Sequence, residues 1–246
     1  MKLNTNKKCS IFLTAGYPNL DSAITLIPKL EKAGVDLIEL GIPFSDPLAD
    51  GEVIQKSSTV ALKNGMDMEL LFEQLIVINK KTTIPVLIMG YFNPIFKYGV
   101  EQFLKKCSVV GVNSLIIPDM TVEVYENDYQ ELFRRYNISL VFLITPDTNL
   151  KRIRRIEKLS TDFIYLVSSS SITGKKEEFT NKQLQGFKRI KELSLSVPVL
   201  VGFGIHNRQT FKAVCDHFDG AIIGSAFIKS LEKNIPVEDF VKEIIS

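Results

Sequence analysis

The chain has 246 residues, 45% of them hydrophobic and 24% charged, the balance of a soluble globular protein with enough length for one large core or two small ones. Its 30 basic and 28 acidic residues leave a formal charge of +2, so no bulk field draws it to nucleic acid. Cys9, Cys107 and Cys215 are odd in number, far apart and without a CxxC pair, which argues against a disulfide framework or zinc site and for a reducing compartment.

The basic start, 1–8, runs straight into the first strand pattern, and the apolar run after it is too brief for a secretory signal. No run reaches membrane-spanning length. Strands are predicted at 10–14, 37–41, 85–89, 114–118, 140–144, 163–167, 198–201 and 221–223. Their near-continuous hydrophobicity suits parallel strands covered on both faces. The helical period appears between them: Ala23, Leu26, Ile27 and Leu30; then Leu70, Leu71, Gln74, Leu75 and Ile78; then Leu132, Phe133 and Tyr136. It returns at Ile153, Ile156 and Leu159, and at Phe211, Val214 and Cys215. Gly34 and Gly111 stand where a helix would end just before a strand. The basic run 151–158 has isoleucines three apart and reads as an amphipathic helix with a solvated face. Eight alternating units fit a (β/α)8 TIM barrel, spanning 1–246 as a single domain, better than a doubly wound sheet.

In such a barrel the chemistry belongs to the C-terminal strand ends and the loops that follow them. The last three ends are rich in glycine and serine: 168–174, then Gly202-Phe203-Gly204, then Gly224-Ser225. Glycines let several backbone N–H groups converge on one anion, and the last two loops stand where barrels build phosphate sites. His206 reads as a turn residue and His217 as a helix-end residue, so neither a zinc pair nor a hydrolytic triad forms. Carboxylates are left as the acid–base candidates. Glu39 lies inside an apolar strand, where its charged form is disfavoured, and the predicted strands hold no lysine or arginine to pair with it. That absence also removes the inward lysine of a Schiff-base aldolase. Asp50, before Gly51, fits a turn aspartate as well as a second acid–base group. Asp46 reads as a turn former. Asp119 is open between catalysis and the binding of a loop or partner, and Tyr165 between ligand contact and barrel filling.

The stretch Glu39-Leu40-Gly41-Ile42-Pro43-Phe44-Ser45-Asp46-Pro47-Leu48-Ala49-Asp50-Gly51 resembles the signature of the tryptophan synthase α chain family. The likeness continues through Asn93-Pro94-Ile95-Phe96, Ile117-Pro118-Asp119, Tyr165-Leu166-Val167-Ser168, Ile172-Thr173-Gly174, Gly202-Phe203-Gly204-Ile205 and Ala221 to Ala226. The resemblance implies a lyase that cleaves indole-3-glycerol phosphate to indole and glyceraldehyde 3-phosphate, with Glu39 and Asp50 as the catalytic pair. It implies backbone phosphate donors at Gly174, Gly204, Gly224 and Ser225, and a site lined by Phe12, Tyr165, Thr173 and Phe203. It further implies that this subunit needs no metal or organic cofactor. The implied partner is a pyridoxal-phosphate-dependent β chain in an α2β2 tetramer, which receives indole through a tunnel. The loop 43–50 would face it, and the segment from 168 to about 182 would close over substrate. Bacterial cytoplasm or a plastid stroma fits such a chain. Four departures from the family pattern, Ser171, Glu52, Asn113-Ser114 and Met120-Thr121, bear on the lid and the partner contact and leave both carboxylates in place.

Overall fold

The computed structural model describes residues 7–168 and 179–245. Nine strands among these residues form one sheet: β1 (Lys8–Thr14), β2 (Leu37–Gly41), β3 (Val86–Met89), β4 (Ser114–Ile116), β5 (Ser139–Val141), β6 (Leu143–Ile144), β7 (Ile164–Val167), β8 (Val199–Gly202) and β9 (Gly220–Ile223). Their order is β5-β4-β3-β2-β1-β9-β8-β7-β6, and every pairing is parallel. The two outermost strands are separated in sequence by Phe142 alone, so the ring closes through the chain itself. This is a TIM barrel.

The fifth predicted strand is thus two. Its first half pairs with β4 and its second with β7. Phe142 stays in the ladder as the acceptor for the Tyr165 amide, at 2.9 Å. A tilted barrel strand meets one neighbour early and the other late. β1 also begins earlier than predicted, at Lys8, but that lysine is at the N-terminal end, held by Asp36 at 2.8 Å.

Alternate residues sort to two cores. Leu37, Leu87, Ile116, Val141, Phe163, Tyr165, Leu200 and Ile222 fill the barrel, while Ile38 and Leu40 face the helix layer. Each wholly buried Leu or Ile adds roughly 1.5–3 kcal/mol. Helices Ser22–Lys32, Met68–Ile78, Leu150–Leu159 and Arg208–Cys215 form where the apolar period predicts them. The third pattern is more broken. There Val122–Val124 passes through a π turn, Tyr125–Tyr129, into Gln130–Arg135. Gly34 and Gly111 end helices at φ +95° and +72°, a region open to glycine at little cost. The basic helix buries Ile153 and Ile156, and its arginines meet acids, Arg155 with Glu123 at 2.6 Å among them.

Candidate active site

Glu39 points into the barrel from β2, opposite Phe12 on β1 and Leu87 on β3. It is 0% exposed, and no cation pairs with it among the described residues. Ser10 donates its hydroxyl to Oε1 at 3.2 Å, and Oε2 has no hydrogen-bond partner among the described residues. Burial pushes the carboxyl from 4.5 up to about 8, and the Ser10 hydrogen bond pulls weakly the other way. Burial therefore favours its protonated form.

Asp50 ends the loop after β2. A turn does form there, the Asp50 amide donating to the Pro47 carbonyl at 3.0 Å, but the side chain bonds elsewhere. The Tyr91 hydroxyl donates to Oδ2 at 3.0 Å and accepts the Ala49 amide at 2.9 Å. Phe44 stacks on Tyr91 at 5.3 Å between centroids, so the end of β3 holds the loop at three points. Gln55, from helix Glu52–Lys63, donates to the Asp50 carbonyl at 2.9 Å. Burial raises the Asp50 carboxyl from 3.8 to about 6 against the pull of the Tyr91 hydrogen bond. Burial thus opposes ionisation more strongly at Glu39 than at Asp50, a difference in environment that can divide acid and base duties between two carboxyls.

Tyr165 joins them from β7. Its phenol is held well above its ordinary range by burial and then by the charges of Glu39 and Asp50. The ring fits because β8 has Gly202 beside it; a Cβ there would lie 2.0 Å from the hydroxyl oxygen. Phe12 is accommodated in the same way by Gly41, whose Cβ would lie 2.5 Å from its ring, and it also reaches Gly224. Phe203 packs edge-on to Tyr165 at 6.4 Å and adopts φ +68°, and its carbonyl accepts the Ser168 hydroxyl at 2.7 Å.

Gly204 follows at φ +76°, and Gly224 caps helix Ser225–Glu232. The first N–H groups of that helix have no carbonyl within it to meet, so they are free for an anion. Gly204, Gly224 and Ser225 thus share the rim with Phe12 and Phe203. Thr173, Gly174 and Ser171 lie outside the described residues, as does most of the segment expected to act as a lid.

The remaining candidates have structural duties. Asp119 accepts the Phe92 amide at 2.9 Å at the start of helix Phe92–Tyr98. Asp46 takes the neighbouring Ser45 hydroxyl. His206 bonds through its ring to the Gly204 carbonyl at 2.9 Å, and His217 sits past a helix end near Lys191. Among the described residues no three His, Cys, Asp or Glu side chains gather as a metal ion requires. Ser10 and Tyr91, the hydrogen-bond partners of the two carboxyls, were absent from the sequence candidates. Ser10 had one available signal, its position two residues before Phe12 on the same face of β1.

Residues 2–243 match the family model described as tryptophan synthase alpha chain. The tryptophan synthase alpha chain of Flavobacterium psychrophilum is 54% identical over 246 residues, covering 99% of this chain and 97% of that one. The protein of that name from Bacteroides thetaiotaomicron is 47% identical, over 94% of this chain and 91% of its own. Among solved structures, tryptophan synthase subunit alpha from Campylobacter jejuni superposes with a TM-score of 0.87 at 32% identity, covering 99% of this chain and 97% of that one. A chain of Mycobacterium tuberculosis tryptophan synthase in its aminoacrylate-bound form gives 0.85 at 25%, covering 98% and 93%.

Proposed function

The chain belongs to the tryptophan synthase alpha chain family, and on that footing we propose that Glu39 and Asp50 split indole-3-glycerol phosphate into indole and glyceraldehyde 3-phosphate. The observation that carries this reading is a pair of carboxyls, Glu39 wholly buried and Asp50 less so, that meet at Tyr165 at one barrel mouth and whose burial opposes their charged forms to different degrees. Glu39 gives its proton to indole C3 while Asp50 takes the ring N–H proton, and the indolenine tautomer results. The Glu39 carboxylate then removes the proton of the glycerol hydroxyl. The C–C bond breaks, its electron pair restores the indole ring, and Asp50 returns the proton to nitrogen. Both carboxyls end as they began, and no step calls on another cofactor. Gly204, Gly224 and Ser225, with Gly174, hold the phosphate through backbone N–H groups. Phe12, Tyr165, Phe203 and Thr173 enclose the indole.

The pH dependence follows from the two groups. Activity requires Asp50 without its proton, so it rises with pH through about 6. It requires Glu39 with its proton, so it falls again through about 8. The profile of kcat/KM against pH is expected to be a bell with limbs near these values. A single limb, or a plateau beyond pH 9, would contradict the assignment.

The partner in this reading is the pyridoxal-phosphate-dependent β chain of an α2β2 tetramer. Leu48, on the Asp50 loop, is 85% exposed, and Phe96, in the helix Phe92–Tyr98 that follows β3, is 61% exposed. Asp50 and its loop are tied together by Tyr91, so a partner resting on Leu48 would act directly on the acid–base pair. Indole release by the isolated chain is expected to be slow and to rise at least about fivefold when β chain is added. Fast release unaffected by β chain would mean a freestanding lyase; none in either case would mean a scaffold. The relatives named above are bacterial, which favours bacterial cytoplasm over a plastid.

A further inference from the structure

We propose that Ser10 is a positioning residue for Glu39, holding Oε1 toward the barrel floor so that Oε2 carries the working proton. This rests on the acid–base role proposed above. Both side chains are 0% exposed, with Ser10 Oγ 3.2 Å from Oε1. The register places Ser10 opposite Leu37 and Phe12 opposite Glu39, so Ser10 reaches the carboxyl from the layer beneath it. Oε1 is drawn down to that contact. Oε2, without a partner among the described residues, is free of that contact, with Phe12 beside Glu39 in register and Tyr165 near enough to feel its charge.

The proton's location follows from the donor. A hydroxyl that donates to Oε1 meets an oxygen lone pair, so in the neutral carboxyl the proton sits on Oε2. Once that proton leaves, the same bond stabilises the carboxylate without any rearrangement. Ser10 therefore serves both halves of the cycle, fixing the donor oxygen in one and supporting the base in the other.

Few other groups compete for this control. Among the described residues the titratable group that feels the Glu39 charge is the Tyr165 phenol from β7, which also feels Asp50 from the loop after β2. β3 presents the apolar Leu87, and Lys8 at the far end of β1 is engaged by Asp36. Removing the Ser10 hydroxyl takes away the hydrogen bond that favours the ionised form.

Ser10→Ala deletes one buried atom and adds no volume, and the readout needs no activity. The chain is labelled with 13C at the glutamate carboxyls, and the Glu39 signal is identified by its loss in Glu39→Gln. Ser10→Ala is expected to raise the pH at which Glu39 ionises by about one unit. The falling limb of the pH–rate profile should move up equally, and the limb near 6 should stay. A titration superimposable on wild type overturns the role of Ser10. A shifted titration with an unmoved falling limb keeps the Ser10 contact and overturns the acid–base role of Glu39 on which the proposal rests.

Discussion

Glu39→Gln is expected to lower indole release at least about 1000-fold and, in the same protein, to raise stability at neutral pH. Gln matches Glu in size, and its carbonyl can still accept the Ser10 hydroxyl, so the barrel keeps its shape. It has no proton to give to indole C3 and no carboxylate to take one from the glycerol hydroxyl. The stability change follows from the proton. In the fold Glu39 keeps it up to about 8, whereas the unfolded chain releases it from about 4.5. A raised carboxyl pKa means that ionisation favours the unfolded chain between those values. Folded-state stability from this group is complete below 4.5 and is lost progressively as pH rises to about 8. The slope is about 1.4 kcal/mol per pH unit, which makes roughly 3 kcal/mol at pH 7. Part of the gain is offset because the Gln amide buries N–H donors that need acceptors. A net rise of about 1–2 kcal/mol at pH 7, or a few degrees in Tm, is expected, fading by pH 4.5. Urea denaturation at both pH values, beside an indole assay, measures both halves. Near-normal indole release would remove Glu39 from the mechanism. An unchanged stability difference between pH 4.5 and 7 would mean that its proton is not held by burial.

Legibility in the sequence followed the range of the interaction. Glu39 stood out because a carboxylate between Ile38 and Leu40 conflicts with its immediate neighbours. Gly34 and Gly111 were readable for the same reason, since a helix end is written within a few residues. The split of the fifth strand at Phe142 left no mark: the apolar run is continuous, and only the change of partner from β4 to β7 divides it. Tyr91 and Ser10 escaped because each meets its carboxyl from a neighbouring strand or the end of one, 41 and 29 residues away in sequence. Asp50 is the intermediate case. Locally it is a turn aspartate, and its amide does make a turn; its side chain gains another task through a phenol just after β3. No local pattern holds that information. The resemblance of the whole stretch from Glu39 to Gly51 to one family supplied it.

Asp50→Asn should lower kcat about 100- to 1000-fold while leaving KM within severalfold. The carbonyl oxygen of Asn can accept the Tyr91 hydroxyl, and the turn from Pro47 is made by backbone atoms, so the loop keeps its anchors. Only the capacity to take a proton goes. The loss is expected to be smaller than at Glu39 because Asp50 attends one proton, on the ring nitrogen, whereas Glu39 attends two sites in turn. The pH signatures separate the variants further. Residual activity in Asp50→Asn should lose the rising limb near 6 and retain the fall near 8, since Glu39 is intact. Loss of the fall near 8 instead would mean that the roles are exchanged. A large rise in KM with kcat preserved would make Asp50 a binding residue, and the indole N–H proton would then need another acceptor. The phenol of Tyr91 is a poor one, because burial and the neighbouring Asp50 charge both oppose its ionisation.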